Sequence, residues 1–243
     1  MIKRIFPIVI VLMLSSARLF SQDETAWDAK FAAGGGYTPG WFVPDLTVFN
    51  QNVESFGVGK FSTSGFYAQG GTGFISIAII RNIRIGGMGM GGSMKNSAVV
   101  MGQRREAVYS TGMGGLTIEY TLPFVKYVAL SAGLILGRGG SSVDLYENRG
   151  PESWDNVWKD AASAQGQTKH RTISNSYYIL SPTLNLDIPF YRFFAFRLGA
   201  GYNFALGNNW QMDNEQELLN VPGNVNSNSL FIQAGIFIGF FNY

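Results

Sequence analysis

From Phe194 to Leu206 every second residue is apolar. Phe194, Phe196, Leu198, Ala200, Tyr202, Phe204 and Leu206 alternate with Ala195, Arg197, Gly199, Gly201, Asn203 and Ala205. A period of two puts each set on its own face of a strand, and this run outlasts the ~5–6 residues of an ordinary soluble strand. Leu180, Pro182, Leu184, Leu186 and Ile188 keep the same pattern, as do Val128 to Leu136, Leu116 to Tyr120 and Ile75 to Ile79. In each run the large side chains share one face, and small or hydroxyl-bearing ones share the other. A soluble sandwich carries charges on its polar face. Large residues outward and small ones inward is the pattern of a barrel whose outside meets lipid.

The breaks between runs set the topology. Short turns are expected at Arg81-Asn82, Pro123 to Lys126 and Pro189 to Arg192, and longer connections around 38–63, 98–104, 146–170 and 209–228. The order long, short, long, short, long, short, long predicts eight strands at about 29–37, 64–79, 83–97, 105–121, 127–145, 171–188, 193–208 and 229–243. The expected fold is all-β, an eight-stranded antiparallel up-and-down transmembrane barrel with short periplasmic turns and longer extracellular loops. Pro182 predicts a bulge, because proline cannot donate to a ladder. A second bulge is expected in Gly86 to Gly92, where the apolar phase shifts after Ile85.

Aromatic residues add two girdles. Tyr120, Phe124, Tyr127, Phe190, Tyr191, Phe193 and Phe194 gather at the short turns, with the Phe240, Phe241, Tyr243 end expected to join them. Tyr109, Tyr178, Tyr202 and Phe204 lie about ten residues away along their strands. Ten residues at ~3.3 Å and a tilt of ~45° rise roughly 23 Å, close to the ~25 Å apolar band of such barrels. The closing strand has Leu230, Ile232, Ala234, Ile236, Ile238 and Phe240 in its outward phase, which puts Tyr243 on the lumen phase. An aromatic final residue on such a strand resembles the assembly signal of bacterial outer-membrane barrels, in which the terminal aromatic shares the lipid-facing phase, so either a bulge near Gly239 or an atypical signal is expected.

On these runs, girdles and aromatic C-terminus, the mature chain resembles the small eight-stranded bacterial outer-membrane barrels, the class of OmpX, OmpW and the OmpA membrane domain. The resemblance implies insertion by the barrel assembly machinery and residence in the cell outer membrane of a Gram-negative bacterium, among outer-membrane lipid and lipopolysaccharide.

Composition agrees. Charged residues are 14% of the 243, below the ~25% of soluble domains, and glycine is 31 residues, above the usual ~7%. Residues 1–21 read as a cleaved signal peptide, with Lys3 and Arg4 before the apolar core Ile5 to Leu14. Cleavage is expected after Ser21, with Ala17 as the alternative, leaving the barrel domain at 22–243. Removing Lys3, Arg4 and Arg18 leaves 15 basic residues of the 18 against 16 acidic ones. The mature chain therefore lacks the basic footprint of a nucleic-acid binder. There is no cysteine and one histidine, which leaves no His/Cys zinc set, and no cofactor is expected.

Candidate chemistry is sparse. Gly87 to Gly92 has dinucleotide-loop spacing, but no helix is expected after it, so barrel wall is the better reading. His170 with Thr172 or Ser174 resembles the pairing in lipid A deacylases, without an identifiable orienting acid. Arg84, Glu119, Asp187 and Arg197 are expected within a few residues of the short-turn rim. Glu119, Asp187 and Arg197 share the inward phase. Charges in a narrow lumen must pair, which makes this cluster a plug or a gate. Eight strands leave an interior barely wider than side chains, which favours the plug. In the loops, 151–164 and 213–219 are expected as short helices, with Trp154 and Trp158 on one face. Trp41 and Phe42, with Val43, Leu46, Val48 and Phe49, make the first loop unusually apolar. Together they form either a cap on the barrel mouth or a surface for an apolar ligand. The functional expectation is a non-enzymatic outer-membrane barrel with a structural or surface-interaction role. A narrow channel for small or apolar solutes is the alternative, and a lipid A-modifying enzyme a distant one.

Overall fold

The computed structural model describes residues 31–76, 80, 82–122, 128–148, 150–151, 153–162, 169–191 and 193–242. The stretch 1–21 expected as a signal peptide, and Phe124 and Tyr127 of an expected short turn, lie outside them. In chain order come β1 (Phe31–Tyr37), β2 (Gly40–Pro44), α1 (Thr47–Ser55), β3 (Phe66–Ser76), β4 (Ile83–Val100), β5 (Gln103–Thr121), β6 (Ala129–Asn148), α2 (Trp154–Ala162), β7 (Lys169–Tyr191), β8 (Phe194–Met212), β9 (Gln216–Glu217) and β10 (Ser229–Asn242).

Neighbouring strands pair antiparallel from β3 through β8, β8 pairs with β10, and β10 pairs with β1, which returns to β3. The ring is closed. β1 and β2 are one wall strand, because Tyr37↔Ile236 and Gly40↔Gln233 keep a single register across the break. Only Thr38 and Pro39 leave the ladder, and Thr38 N–H still donates to Gly70 O at 2.9 Å. The wall therefore has eight strands, as the periodicity predicts.

Each strand has an inner row of buried residues and an outer row of exposed ones. Ile75, Leu116, Ile118, Leu136, Leu184, Ile236 and Ile238 are large, apolar and exposed on the outer face. A continuous apolar belt of this kind is expected against hydrocarbon, where closed ladders also satisfy the backbone. Tyr120, Phe190 and Tyr191 stand exposed at the short-turn end, and Tyr178, Tyr202 and Phe204 at the other, joined there by Tyr37, Trp41 and Tyr67. Tyr109 is a correction. It faces the lumen, 3% exposed, because the odd positions of β5 point inward.

Other local expectations also change. Pro182 makes no bulge. Leu180↔Phe204 and Thr183↔Gly201 keep one register with β8, and Ser181 and Pro182 simply drop out of that ladder. Register shifts lie instead between Ser176 and Tyr178, opposite Gly207, whose φ of 69° favours glycine, and between Pro189 and Tyr191 at the short-turn end. Gly86 to Gly92 has no bulge either, since β4 keeps one register with β3 and one with β5 throughout. The apolar residues change face while the pleat does not. Ile83 and Ile85 are on the outer row, and Met88 and Met90 are buried inside. Nor is there a bulge at Gly239: the β1 ladder runs unbroken to Asn242, and Tyr243 lies outside the described residues. The connection at 98–104 closes tightly, since β4 and β5 meet at Met101 and Gly102 with φ of 50° and 78°. Two positive φ angles fit the hairpin twist. The stretch 213–219 is a hairpin, β8 with β9, and not a helix. Asp213 anchors it by accepting from Thr172 N–H at 2.8 Å and pairing with Arg171.

Glycine has two roles in the wall. A Cβ at inward Gly235 would sit 2.3 Å from Tyr37 O, whereas one at outward Gly114 would meet nothing nearer than 3.5 Å. Gly235→Val is therefore expected to destabilise the barrel by about 2 kcal/mol or more. Gly114→Leu should unfold close to the wild-type midpoint. Urea unfolding in lipid vesicles, followed by tryptophan fluorescence, measures both.

Candidate functional site

The lumen is the candidate site, and the β pleat builds it in layers. Nearest the short turns, Arg84 from β4, Glu119 from β5, Asp187 from β7 and Arg197 from β8 converge. Antiparallel register puts Arg84 beside Glu119 and Asp187 beside Arg197 on the wall. The structure brings these four side chains together, and Arg84, like the other three, faces inward.

Arg197, 1% exposed, organises the cluster. Its Nε and Nη2 donate to Asp187 Oδ1 and Oδ2 at 2.6 and 2.8 Å. Nη1 and Nη2 donate to Glu119 Oε1 and Oε2 at 2.9 and 3.1 Å. One planar guanidinium thus holds two carboxylates bidentately, which a lysine cannot do. Arg84 Nη1 adds a bond to Asp187 Oδ2 at 2.5 Å. Asn185 Nδ2 donates to Glu119 Oε1 at 3.2 Å, and Gln233 Nε2 donates to Asn185 Oδ1 at 3.1 Å. The faces of the cations are also covered: the Arg197 guanidinium carbon lies 4.6 Å from the Phe237 ring centroid, and that of Arg84 lies 4.6 Å from the Phe74 centroid. Two cations against two anions leave the layer neutral.

Above this layer lie amides and hydroxyls. Ser181 Oγ donates to Asn203 Oδ1 at 2.6 Å, and Asn203 Nδ2 donates to Ser229 Oγ at 2.9 Å. Higher still the lumen becomes apolar. Phe42, Phe66, Met88, Met90, Tyr109, Met113, Ile135, Ile179 and Phe231 pack with Leu46, Val53, Val58 and Phe61 of the first loop in one cluster. The loop is turned inward by Asn50, whose amide donates to Phe61 O and accepts from Phe61 N–H at 3.1 and 2.8 Å. Arg105 Nη1 fastens the end of α1 by donating to Phe56 O at 2.8 Å. Neither α1 nor this inward fold is signalled by the alternation, because the loop's partners come from strands far from it in sequence.

The expected loop surface at Trp41 and Phe42 needs correction, because both are on β2, in the wall. Phe42, 1% exposed, points into the lumen between Phe66 and Phe231. Trp41 points outward and donates through Nε1 to Ser64 O at 2.6 Å. The helix expected in 151–164 is present as α2. Trp154 and Trp158 are 77% and 61% exposed there, with ring centroids 5.8 Å apart, and neither belongs to the lumen cluster.

His170 gains an acid that the sequence did not identify. Asp144 lies across the β6–β7 ladder, and its Oδ1 is 3.3 Å from His170 Nε2 and accepts from Thr172 Oγ1 at 2.6 Å. His170 Nε2 is also 3.1 Å from Thr172 Oγ1. A nucleophile–base–acid relay needs the acid on one ring nitrogen and the nucleophile on the other. Here the same nitrogen faces both, and the hydroxyl proton is committed to the carboxylate. Among the described residues no group of three or more His, Cys, Asp or Glu side chains is placed to hold a metal.

No protein-family model matches the chain, and no curated protein matches it in sequence. Among solved structures it is similar to Ail, the attachment invasion locus protein of Yersinia pestis, in complex with the heparin analogue sucrose octasulfate. That likeness has 12% identity and a TM-score of 0.39, over 86% of this chain and 97% of that one. It is similar also to Neisserial surface protein A, at 11% identity and TM-score 0.43, over 87% and 98% of the two chains. A third is a major outer membrane protein from Thermus thermophilus, at 8% identity and TM-score 0.47, over 86% and 99%. The barrel architecture itself rests on the strand pairing described above.

Removing one partner of a buried pair strands the other charges. Arg197→Met is expected to lower stability by about 3–5 kcal/mol, because Asp187 and Glu119 lose their shared cation. Arg197→Lys should recover only part of this. The urea midpoint in vesicles reads both variants.

Proposed function

We infer that the protein is an integral outer-membrane barrel with a sealed lumen, exported by a cleaved signal peptide at residues 1–21. In this reading the barrel domain is 22–243, and its role is envelope structure or surface interaction. The observation that carries the reading is the two-part filling of the interior. The Arg197 cross-link closes the short-turn half, and the first loop packs the long-loop half with Phe42, Tyr109 and Phe231. Either part alone blocks a bore that is scarcely wider than side chains. The exposed apolar belt between two aromatic sets supports the membrane setting.

The plug is therefore favoured over a gate or narrow channel, because a gate would need both layers to open together. The wrong disposition of His170, Thr172 and Asp144 for a relay supports a non-enzymatic role. What remains for partners is the outer surface: lipid and lipopolysaccharide along the belt, the assembly machinery during insertion, and a surface ligand at the loops, where Trp154 and Trp158 offer an exposed aromatic pair.

Heat-modifiable gel mobility of the protein from the outer-membrane fraction tests the setting, and recovery from the soluble periplasm would sink it. For the sealed lumen, planar-bilayer recordings are expected to show no steady current in the wild type, and none after Glu119→Gln. Discrete conductance steps in the wild type would favour the channel instead.

A further inference from the structure

The outer face of β4 to β7 changes chemistry in ordered rows, and those rows can be followed through the register. The lowest is Gly87, Leu116, Leu136 and Leu180, whose leucines belong to the exposed belt. Next comes Gly89, Gly114, Arg138 and Tyr178, then Gly91, Gly112, Gly140 and Ser176. The fourth row is four serines side by side: Ser93, Ser110, Ser142 and Ser174. Arg138 stands ten residues along the strand from Val128 at the short-turn end, a rise of roughly 23 Å at ~45° tilt, which brings it to the far boundary of an apolar band of ~25 Å.

Arg138 is a cation on an outward, exposed position at that boundary. Its Nη2 donates to Tyr178 Oη at 2.9 Å, and its guanidinium carbon lies 4.9 Å from the Tyr178 ring centroid. No carboxylate among the described residues pairs with it, so the tyrosine holds the guanidinium in place without neutralising it. None of the four serine hydroxyls has a hydrogen-bond partner among the described residues. Beside Arg138, interior packing does not explain why the wall lacks side chains. A Cβ at Gly89, Gly112, Gly114 or Gly140 would find ordinary contacts at 3.5–3.7 Å.

We propose that this face binds the phosphorylated disaccharide headgroup of an outer-leaflet glycolipid. The proposal rests on the membrane reading above and assigns its glycolipid contact to named residues. Arg138 takes a phosphate, for which a guanidinium pre-set by Tyr178 is suited by its parallel donors. The headgroup lies on the flat backbone of Gly112, Gly114 and Gly140, and its sugar hydroxyls meet the serine row. From Arg138 to Ser142 the strand advances about 13 Å, longer than a glycerol phosphate and closer to two linked sugars. Acyl chains descend over Leu116, Leu136 and Leu180.

The test is native mass spectrometry of the folded barrel in mixed micelles with bis-phosphorylated lipid A, its dephosphorylated form, or phosphatidylglycerol. Heat-modifiable mobility first establishes that each variant is folded in vesicles; a wild type that never folds there fails the membrane reading, not this one. The wild type should retain bis-phosphorylated lipid A roughly tenfold more than either comparison lipid. Arg138→Gln and Gly114→Leu should each abolish that preference, and Arg104→Gln should keep it. Equal retention of phosphatidylglycerol, or a preference that survives Arg138→Gln, overturns the proposal.

Discussion

The pairing of β10 with both β8 and β1 is the constraint on which the rest depends. In hydrocarbon an unpaired edge leaves a row of N–H and C=O groups without partners, each costing several kcal/mol. Closure removes that edge, and the register from Phe31↔Asn242 to Gln233↔Gly40 shows how far it extends. The break at Thr38 and Pro39 is tolerated because the strand resumes in the same register and Ala234 N–H donates to Pro39 O at 3.0 Å.

Closure at eight strands creates the second problem, a narrow interior that side chains must fill. The chain solves it differently at each end. Near the short turns, two arginines and two acids satisfy one another in a volume with almost no water access. Toward the loops, the first loop supplies the missing apolar volume. This division explains the composition of β4. Below Gly86 the lumen needs a charge, so Arg84 faces in and Ile83 and Ile85 face lipid. Above it the lumen needs apolar bulk, so Met88 and Met90 face in, and glycines occupy the outer row.

Much of this was legible in the chain. Alternation at Phe194 to Leu206 and in its companion runs carried the strand count, the inward phase of Glu119, Asp187 and Arg197, and the outward phase of Leu230 to Ile238. Those are consequences of a local period. The misses share a cause. Tyr109 looked like a girdle residue because its distance along the chain was right, yet its odd position on β5 turned it inward. Phe42 falls within the expected 38–63 connection, yet the strand resumes at Gly40 and carries it into the wall. The stretch 213–219 has helix-like acids, but strand pairing with β8 and the Thr172–Asp213 bond take its backbone instead. The acid beside His170 lay 26 residues away on another strand, beyond any local signal.

By itself, then, the sequence determined how many strands form the wall and that Glu119, Asp187 and Arg197 face the lumen, because side-chain alternation is local and fixed in period. Only the tertiary structure decided that Arg197 holds both acids at once and that the first loop turns inward. It alone joined β2 to β1 and lined up Arg138, a row of glycines and a row of serines on one face. Each of these depends on register between distant strands, and register is chosen by the closure of the whole ring.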